Sequence, residues 1–468
     1  MNLINELILA ASDFLWSTLL IYLLIGAGLY FTIRTKGAQF KYLGHMIKLL
    51  SEKTDNKNDN TVTSLQAFFI GAATRIGTGN IAGVALAISI GGPGAVFWMW
   101  LVALLGGASA FVEATLAQIY KVKDGSAFKG GPSYYIEKQL GYKWMSVLFS
   151  IFIIVAFGLS FNSVQSNTIT GAFAGTFNIG TATMGVILTV LSGVIIFGGV
   201  KLIARFSSII VPVMAVFYII LAAYVILTNI TEVPAVIALI FKSAFGFEQA
   251  LGGGVGTAIL MGAKRGLFSN EAGMGSAPNA AAAATVSHPV KQGFVQTLGV
   301  FFDTLIVCSA TAFIILLSDV YTTAEEGISG AMLTQASLAQ HYGDWAQYFL
   351  TIAIFMFAFS SIVGNYYYGE VNINYLTNSK IVLFIYRLAV LAMVYVGSVA
   401  SLDNVWNFAD LSMGLMALIN LTAILLLGRF AFGALDNYFA QVKKGVEPKF
   451  YKDDIPGLKN VESWPSKK

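Results

Sequence analysis

A chain of 468 residues that is 56% hydrophobic and only 11% charged, with a mean hydropathy of +0.73, lies far from soluble domains, in which about 25% of residues are charged. The composition excludes a soluble enzyme or a nucleic-acid-binding module and indicates a polytopic protein whose surroundings are a lipid bilayer. The formal net charge of +4 says little by itself; where the charges fall says more.

Crossing about 30 Å of hydrocarbon takes around 20 apolar residues, and about eleven such runs are expected. In chain order they are Phe14–Ile33, Leu65–Ile90, Gly94–Tyr120, a run from Trp144 past Asn162, Thr181–Val200, Phe206–Leu227, an interrupted run Leu251–Thr285, Gly293–Leu317, Trp345–Gly364, Ile381–Ala400 and Val405–Leu427. The N-terminus lacks the basic segment of a cleaved signal peptide, so the first run is kept as a span. Lysine and arginine gather in alternate loops: Arg34 to Lys57, Lys121 to Lys143, Lys201 and Arg205, Lys291, Lys380 and Arg387, and the tail from Arg429 onward. The opposite loops hold Lys242 and carry acidic residues such as Asp13, Glu232, Asp319 and Asp403. Basic loops mark the cytoplasmic side, which puts the N-terminus outside and the C-terminus in the cytoplasm of a plasma-membrane protein. Ser51 to Thr63 is expected to be a cytoplasmic loop after an amphipathic Tyr42–Leu50 helix, and Phe241 to Gly254 and Gly327 to Tyr342 short extracellular lids. The single cysteine, Cys308, excludes an internal disulfide and a cysteine cluster for metal. His45, His288 and His341 are expected in loops, which argues against a buried histidine site.

Two polar, glycine-rich stretches interrupt these runs. Gly71 to Gly83 contains Arg75, Asn80, Ala82 and Gly83; Gly262 to Gly275 contains Arg265, Asn270, Ala272 and Gly273, and one constant offset relates the four pairs. They fall in the second and seventh spans. Interrupted helices at corresponding places in two halves are a pointer to the site of an inverted-repeat transporter. The reading is therefore an all-α polytopic membrane protein with one leading helix and a 5+5 inverted repeat, broken in its second and seventh helices. Its parts are a leading helix and loop over 1–63, repeats over 64–230 and 231–430, and a cytoplasmic tail over 431–468. The alternative is a plain bundle whose glycine-rich helices pack closely.

Broken helices free N–H groups at the start of one half and carbonyls at the end of the other. The first suits a carboxylate and the second a cation, so a zwitterion with a coupled ion fits both. Thr78 and Asn80 add a hydroxyl and an amide, while Gly273, Met274 and Gly275 repeat the device in the seventh span. Met274 either closes on a methyl-sized side chain or packs the core, and Glu271 either binds an ion or caps loose N–H groups. Gln165 and Thr168, three apart on one helix face, contact a ligand or mark a solvated helix end. Ser360 and Ser361 make a cation site beside the carbonyls of the second span, or bond back to their own helix. Intramembrane charges need partners. Among Arg75, Glu113, Lys264, Arg265 and Asp303, Glu113 is expected to hold the broken seventh segment and Asp303 to face a basic residue or the cation.

Gly91 to Gly106, with the run Gly-Gly-Pro-Gly-Ala-Val-Phe-Trp-Met-Trp, resembles the signature of the alanine or glycine:cation symporter family. Gly77 to Asn80, Ser269 to Pro278 and Tyr367-Tyr368-Gly369-Glu370 resemble it too. The resemblance implies sodium-driven import of alanine or glycine by alternating access, on a fold similar to that of the bacterial leucine transporter. It implies that the substrate carboxylate meets Thr78 and Gly79, and that the sodium ligands include Ala73, Asn80, Ser360 and Ser361. One departure is Asn365, where the family is expected to carry an aromatic residue, usually Trp. Proton coupling is the alternative to sodium. A channel would need a continuous polar pore, and a membrane enzyme would need a catalytic cluster, of which the sequence shows no sign; no catalytic residue or further cofactor is expected.

Overall fold

The computed structural model describes residues 2–52, 62–125, 127–198, 200–246, 254–323 and 328–467. The protein is 81% helical. Its main helices are α1 (Glu6–Arg34), α2 (Leu43–Leu50), α3 (Ser64–Arg75), α4 (Gly79–Gly91), α5 (Gly94–Ile119), α6 (Lys143–Phe177), α7 (Thr181–Gly198), α8 (Val200–Thr228) and α9 (Val233–Ala244). The second half continues with α10 (Val255–Asn270), α11 (Ala277–Ala283), α12 (Pro289–Leu316), α13 (Ala331–Tyr342), α14 (Trp345–Leu376), α15 (Lys380–Val399) and α16 (Leu402–Lys443). One antiparallel hairpin, β1 (Val122–Asp124) with β2 (Ala127–Lys129), departs from the all-helical expectation.

Eight of these helices are long and apolar enough to cross a membrane, or up to ten spans if each of two bent pairs counts as one. The pairs are α3 with α4, bent by 51°, and the latter part of α8 with α9, bent by 103°. The break between α10 and α11 leaves helices of 16 and 7 residues, each too short to cross a membrane by itself. Parts of the expected lids and of the Ser51 to Thr63 loop lie outside the described residues.

The outward-facing sides of α7, α8 and α15 expose Val190, Val194, Phe217, Ile220, Ile381 and Ile385. The helices that carry polar side chains lie inside. α5 supplies small residues on its inner surface: an added Cβ at Gly106 would come within 2.9 Å of Ala272, and one at Gly94 within 2.5 Å of Ala244 N. Such close approach lets α5 lie directly against α9 and the segment that joins α10 to α11.

The histidine expectation is corrected. His45 and His341 lie in helices, and His288 is fully buried at the start of α12, where its side chain accepts from Val290 N. An imidazole nitrogen there satisfies one of the free N–H groups of the first turn. Burial pushes the His288 pKa from 6.5 down to about 4. A base held neutral in the folded state stabilises the fold above its unfolded pKa, and that stability is lost as pH falls from 6.5 toward 4. The thermal midpoint of the purified protein is therefore expected to fall across this range, and His288→Asn, which keeps a capping group without titrating, is expected to flatten the drop.

Candidate functional site

The first break begins where α3 ends. Thr63 and Gln66 start this helix with a reciprocal capping box. Its last backbone bond runs from Ile76 N to Ala72 O at 2.7 Å, and Ile76 turns out of the helix at ψ 89°. Side chains take the N–H groups that follow: Gly77 N donates to Asn80 Oδ1 at 2.9 Å, and Thr78 N to Gln165 Oε1 at 3.1 Å. The chain resumes in a wide π turn over Gly79–Gly83, a feature frequent at functional sites. Crowding demands glycine here. A Cβ at Gly77 would strike Ser361 Oγ, and one at Gly79 would lie 3.0 Å from the Phe268 ring. On the carbonyl side, Ser361 Oγ donates to Ala73 O at 2.9 Å, and Thr311 Oγ1 donates to Asn80 O at 2.6 Å.

In the second break, Glu271, Gly273 and Gly275 have φ of 59°, 81° and 89°, the left-handed region that glycine enters without steric cost. Two N–H groups freed by this path, Gly273 N and Gly275 N, donate to Glu113 Oε1 and Oε2, each at 3.1 Å. Glu113 thus holds the broken segment, as its place in an apolar span suggested. Asn420 of α16 donates to Glu113 Oε2 at 2.7 Å and to Gly273 O at 2.9 Å. Ser276 Oγ donates to Glu271 Oε2 at 2.5 Å, and Met274 is wholly buried.

Asp303 joins the two breaks. Its Oδ1 accepts from Asn80 Nδ2 at 2.6 Å, and its Oδ2 from Ser269 Oγ at 2.8 Å. The next residue, Thr304, accepts at Oγ1 from Asn270 Nδ2 at 3.3 Å. The two asparagines that correspond in the sequence are therefore held by adjacent residues of α12. Arg75 is buried and directs Nη1 at Gln296 O, 3.5 Å away. Lys264 and Arg265 pair with Asp410, at 3.5 and 2.5 Å, and the Arg265 guanidinium stacks 4.2 Å from the Trp406 ring. Trp406 packs on Phe268, and Phe268 on Phe161.

Thr78, Gln165, Ala73, Ser361 and Asn80 are brought together around the first break. The others turn elsewhere: Thr168 Oγ1 donates to Val164 O at 2.9 Å and Ser360 Oγ to Phe357 O at 2.8 Å, each within its own helix. Gly273 and Gly275 are engaged by Glu113. Sequence reasoning missed Thr311, Asn420, Asp410 and the pair formed by Asn365 Nδ2 and Asn162 Oδ1 at 3.1 Å. A lone polar residue inside an apolar run was the available signal for Asn420 and Asp410.

The model of the sodium:alanine symporter family matches residues 1–452. The chain belongs to the sodium:alanine symporter family. It is 56% identical to the amino-acid carrier protein AlsT of Bacillus subtilis over 99% of this chain and 98% of that one. It is 54% identical to the probable sodium/glutamine symporter GlnT of the same organism, over 99% and 97%. The sodium/alanine symporter AgcS of Methanococcus maripaludis is 39% identical over 90% of this chain and 94% of its own. Among solved structures, MhsT in complex with L-phenylalanine superposes with a TM-score of 0.54 at 14% identity, covering 84% of this chain and 94% of that one. A manganese transporter of Eremococcus coleocola gives 0.56 at 12% identity, over 83% and 90%. These structural likenesses show the fold, that of the leucine-transporter group.

Replacing Glu113 by Gln puts an amide NH2 against backbone or Asn420 donors and strands one of them. The expected cost is about 1–3 kcal/mol, read as a lower thermal midpoint in detergent; an unchanged midpoint would contradict the role given to this carboxylate.

Proposed function

We propose that this family member is a sodium-coupled symporter that imports small neutral amino acids, alanine or glycine, by alternating access. The observation that carries the reading is the first break, where Thr78 N and the carbonyl of Ala73 lie on opposite sides of one unwound segment, held by Gln165 and Ser361. A substrate carboxylate displaces the neutral Gln165 oxygen from Thr78 N and takes Gly79 as well, because a charged acceptor bonds an N–H more strongly than an amide does. Sodium, a hard cation, takes oxygen ligands, which Ala73, Ser361 and Asn80 supply, with Ser360 joining after rotation away from Phe357 O. Met274 closes the pocket from the second break, whose Gly273 and Gly275 set its shape while Glu113 holds their N–H groups; Thr168 lines the same helix face as Gln165. Eleven spans, a 5+5 inverted repeat with its leading helix, a plasma-membrane location and a cytoplasmic C-terminus belong to this proposal. They are supported by the alternation of basic loops and by the corresponding asparagines held on α12.

The test is uptake of labelled alanine and glycine into proteoliposomes under imposed sodium and proton gradients. Accumulation is expected with the sodium gradient alone; accumulation that follows the proton gradient would replace sodium by proton coupling. Asn80→Ala is expected to weaken the apparent sodium affinity about tenfold, a change of about 1.4 kcal/mol, and an unaltered sodium response would reject Asn80 as a ligand.

A second substrate reading is favoured by Asn365. Its Oδ1 is buried without a hydrogen-bond partner among the described residues, while its Nδ2 is committed to Asn162. Asn162 precedes Gln165 by three residues and Asn365 follows Ser361 by four, so the pair lies roughly 5 Å along the helices from the first break. An alanine methyl leaves the Asn365 oxygen unpaired, whereas the carboxamide of glutamine reaches it and donates. One relative is named a probable sodium/glutamine symporter. Unlabelled glutamine is then expected to compete with labelled alanine, and Asn365→Leu to weaken glutamine about tenfold more than alanine, within the range for losing one buried polar contact. Absence of glutamine competition would leave alanine and glycine as the substrates.

A further inference from the structure

The far ends of the two broken helices meet. Thr285 N, just beyond α11, donates to Val62 O at 2.9 Å, and Val62 immediately precedes the Thr63 cap of α3. α11 is only seven residues long and sits between the left-handed turns of the second break and an extended Ala284 at ψ 141°. It is a short segment with non-helical backbone at each end. Its terminal carbonyls are gripped from α5 and the residues just after it: Gln118 Nε2 donates to Ala281 O and, at 2.9 Å, to Ala284 O, and Lys121 Nζ donates to Ala284 O at 2.9 Å.

The C-terminal tail closes over this grip. Trp464 is almost fully buried; its indole N–H donates to Gln118 O at 2.9 Å, and its ring lies 4.8 Å from Lys121 Nζ, with Phe128 of the hairpin on another side at 4.2 Å. Ser463 Oγ donates to Lys121 O at 2.8 Å. The tail is folded on itself through Lys452 N to Pro465 O at 3.0 Å and the Lys467 to Asp454 pair at 2.5 Å, and it is fastened to the loop before α12 by Phe450 N to Ser287 O at 3.0 Å. Burial pushes the Lys121 amine from 10.5 down to about 7; protonated or neutral, it keeps an N–H for the Ala284 carbonyl.

We propose that the tail is a latch on this end of the molecule, in which Trp464 clamps Gln118 and Lys121 onto Ala284 and keeps the two half-helices tied until the tail lifts. Trp464 and Lys121 are then positioning residues: they touch neither substrate nor ion, and they act on the candidate site through α11 and α3. The proposal rests on the transporter reading only for its consequence in the cycle, because release of the tie can be measured without transport.

The experiment places a cysteine at Ala284 in the full chain and follows its modification by a small maleimide in proteoliposomes, with buried Cys308 of the parent chain as the baseline. Trp464→Ala is expected to speed labelling about tenfold, the size expected on losing the hydrogen bond from the indole N–H to Gln118 O. Trp464→Phe, which keeps a ring but loses the indole N–H, is expected to give a smaller rise, and Lys121→Met a rise without any change to the tail. An unchanged thermal midpoint alongside faster labelling separates latch release from loss of fold. If Trp464→Ala does not yield folded protein, Trp464→Phe and Lys121→Met decide. Parental labelling rates in the folded variants overturn the proposal; so does labelling that rises only where the midpoint falls.

Discussion

The carboxylate of Asp303 is the point on which both broken helices depend. One oxygen is taken by Asn80 of the first break and the other by Ser269, at the end of the helix that leads into the second. A buried carboxylate costs several kcal/mol unless its lone pairs are satisfied, and here neutral donors from α4, α10 and α12 itself satisfy them. Asn80 in turn turns its own oxygen back to Gly77 N. The unwound segment is therefore built outward from Asp303, through Asn80, to the backbone groups that face the candidate pocket.

The two breaks satisfy their backbone in different ways, and the difference decides their roles. At the second, the carboxyl group of Glu113 takes two N–H groups and is itself held by Asn420; a substrate carboxylate has no place there without displacing that side chain. At the first, Thr78 N is held by the neutral oxygen of Gln165, which a charged acceptor replaces at a gain. Around this first break the buried hydroxyl of Thr78 and the amide oxygen of Asn365 have no partner among the described residues. Buried polar atoms in membrane proteins are normally satisfied, and these orphans, with Nε and Nη2 of Arg75 at the end of α3, are groups to which an incoming ligand has something to offer.

Much of this was legible in the chain. Glycine, asparagine and arginine inside apolar runs told where helices must break, because only irregular backbone needs them there. Asn80 and Asn270, which correspond in the chain, each cap an N–H at their own break, Gly77 in one case and Ala272 in the other, a role that their spacing did not disclose. The equivalent arginines fared differently: Arg265 pairs with Asp410, while Arg75 faces Gln296. What the chain did not disclose was which distant residues come together. Asp410 as the partner of Lys264 and Arg265, Asn420 on Glu113, and Trp464 over Lys121 all join segments far apart in sequence, and periodicity reports a face, not its partner. The hairpin over 122–129 and the buried His288 were missed because single short polar segments resemble ordinary loops.

The central claim is that the first break, and not the second, receives the substrate carboxylate. A structure of the protein determined with bound amino acid and sodium tests it most directly. The account predicts the carboxylate at hydrogen-bonding distance from Thr78 N and Gly79 N, the Gln165 oxygen moved off Thr78 N, and Glu113 still on Gly273 and Gly275. A carboxylate seated on Gly273 and Gly275 with Glu113 displaced would contradict it.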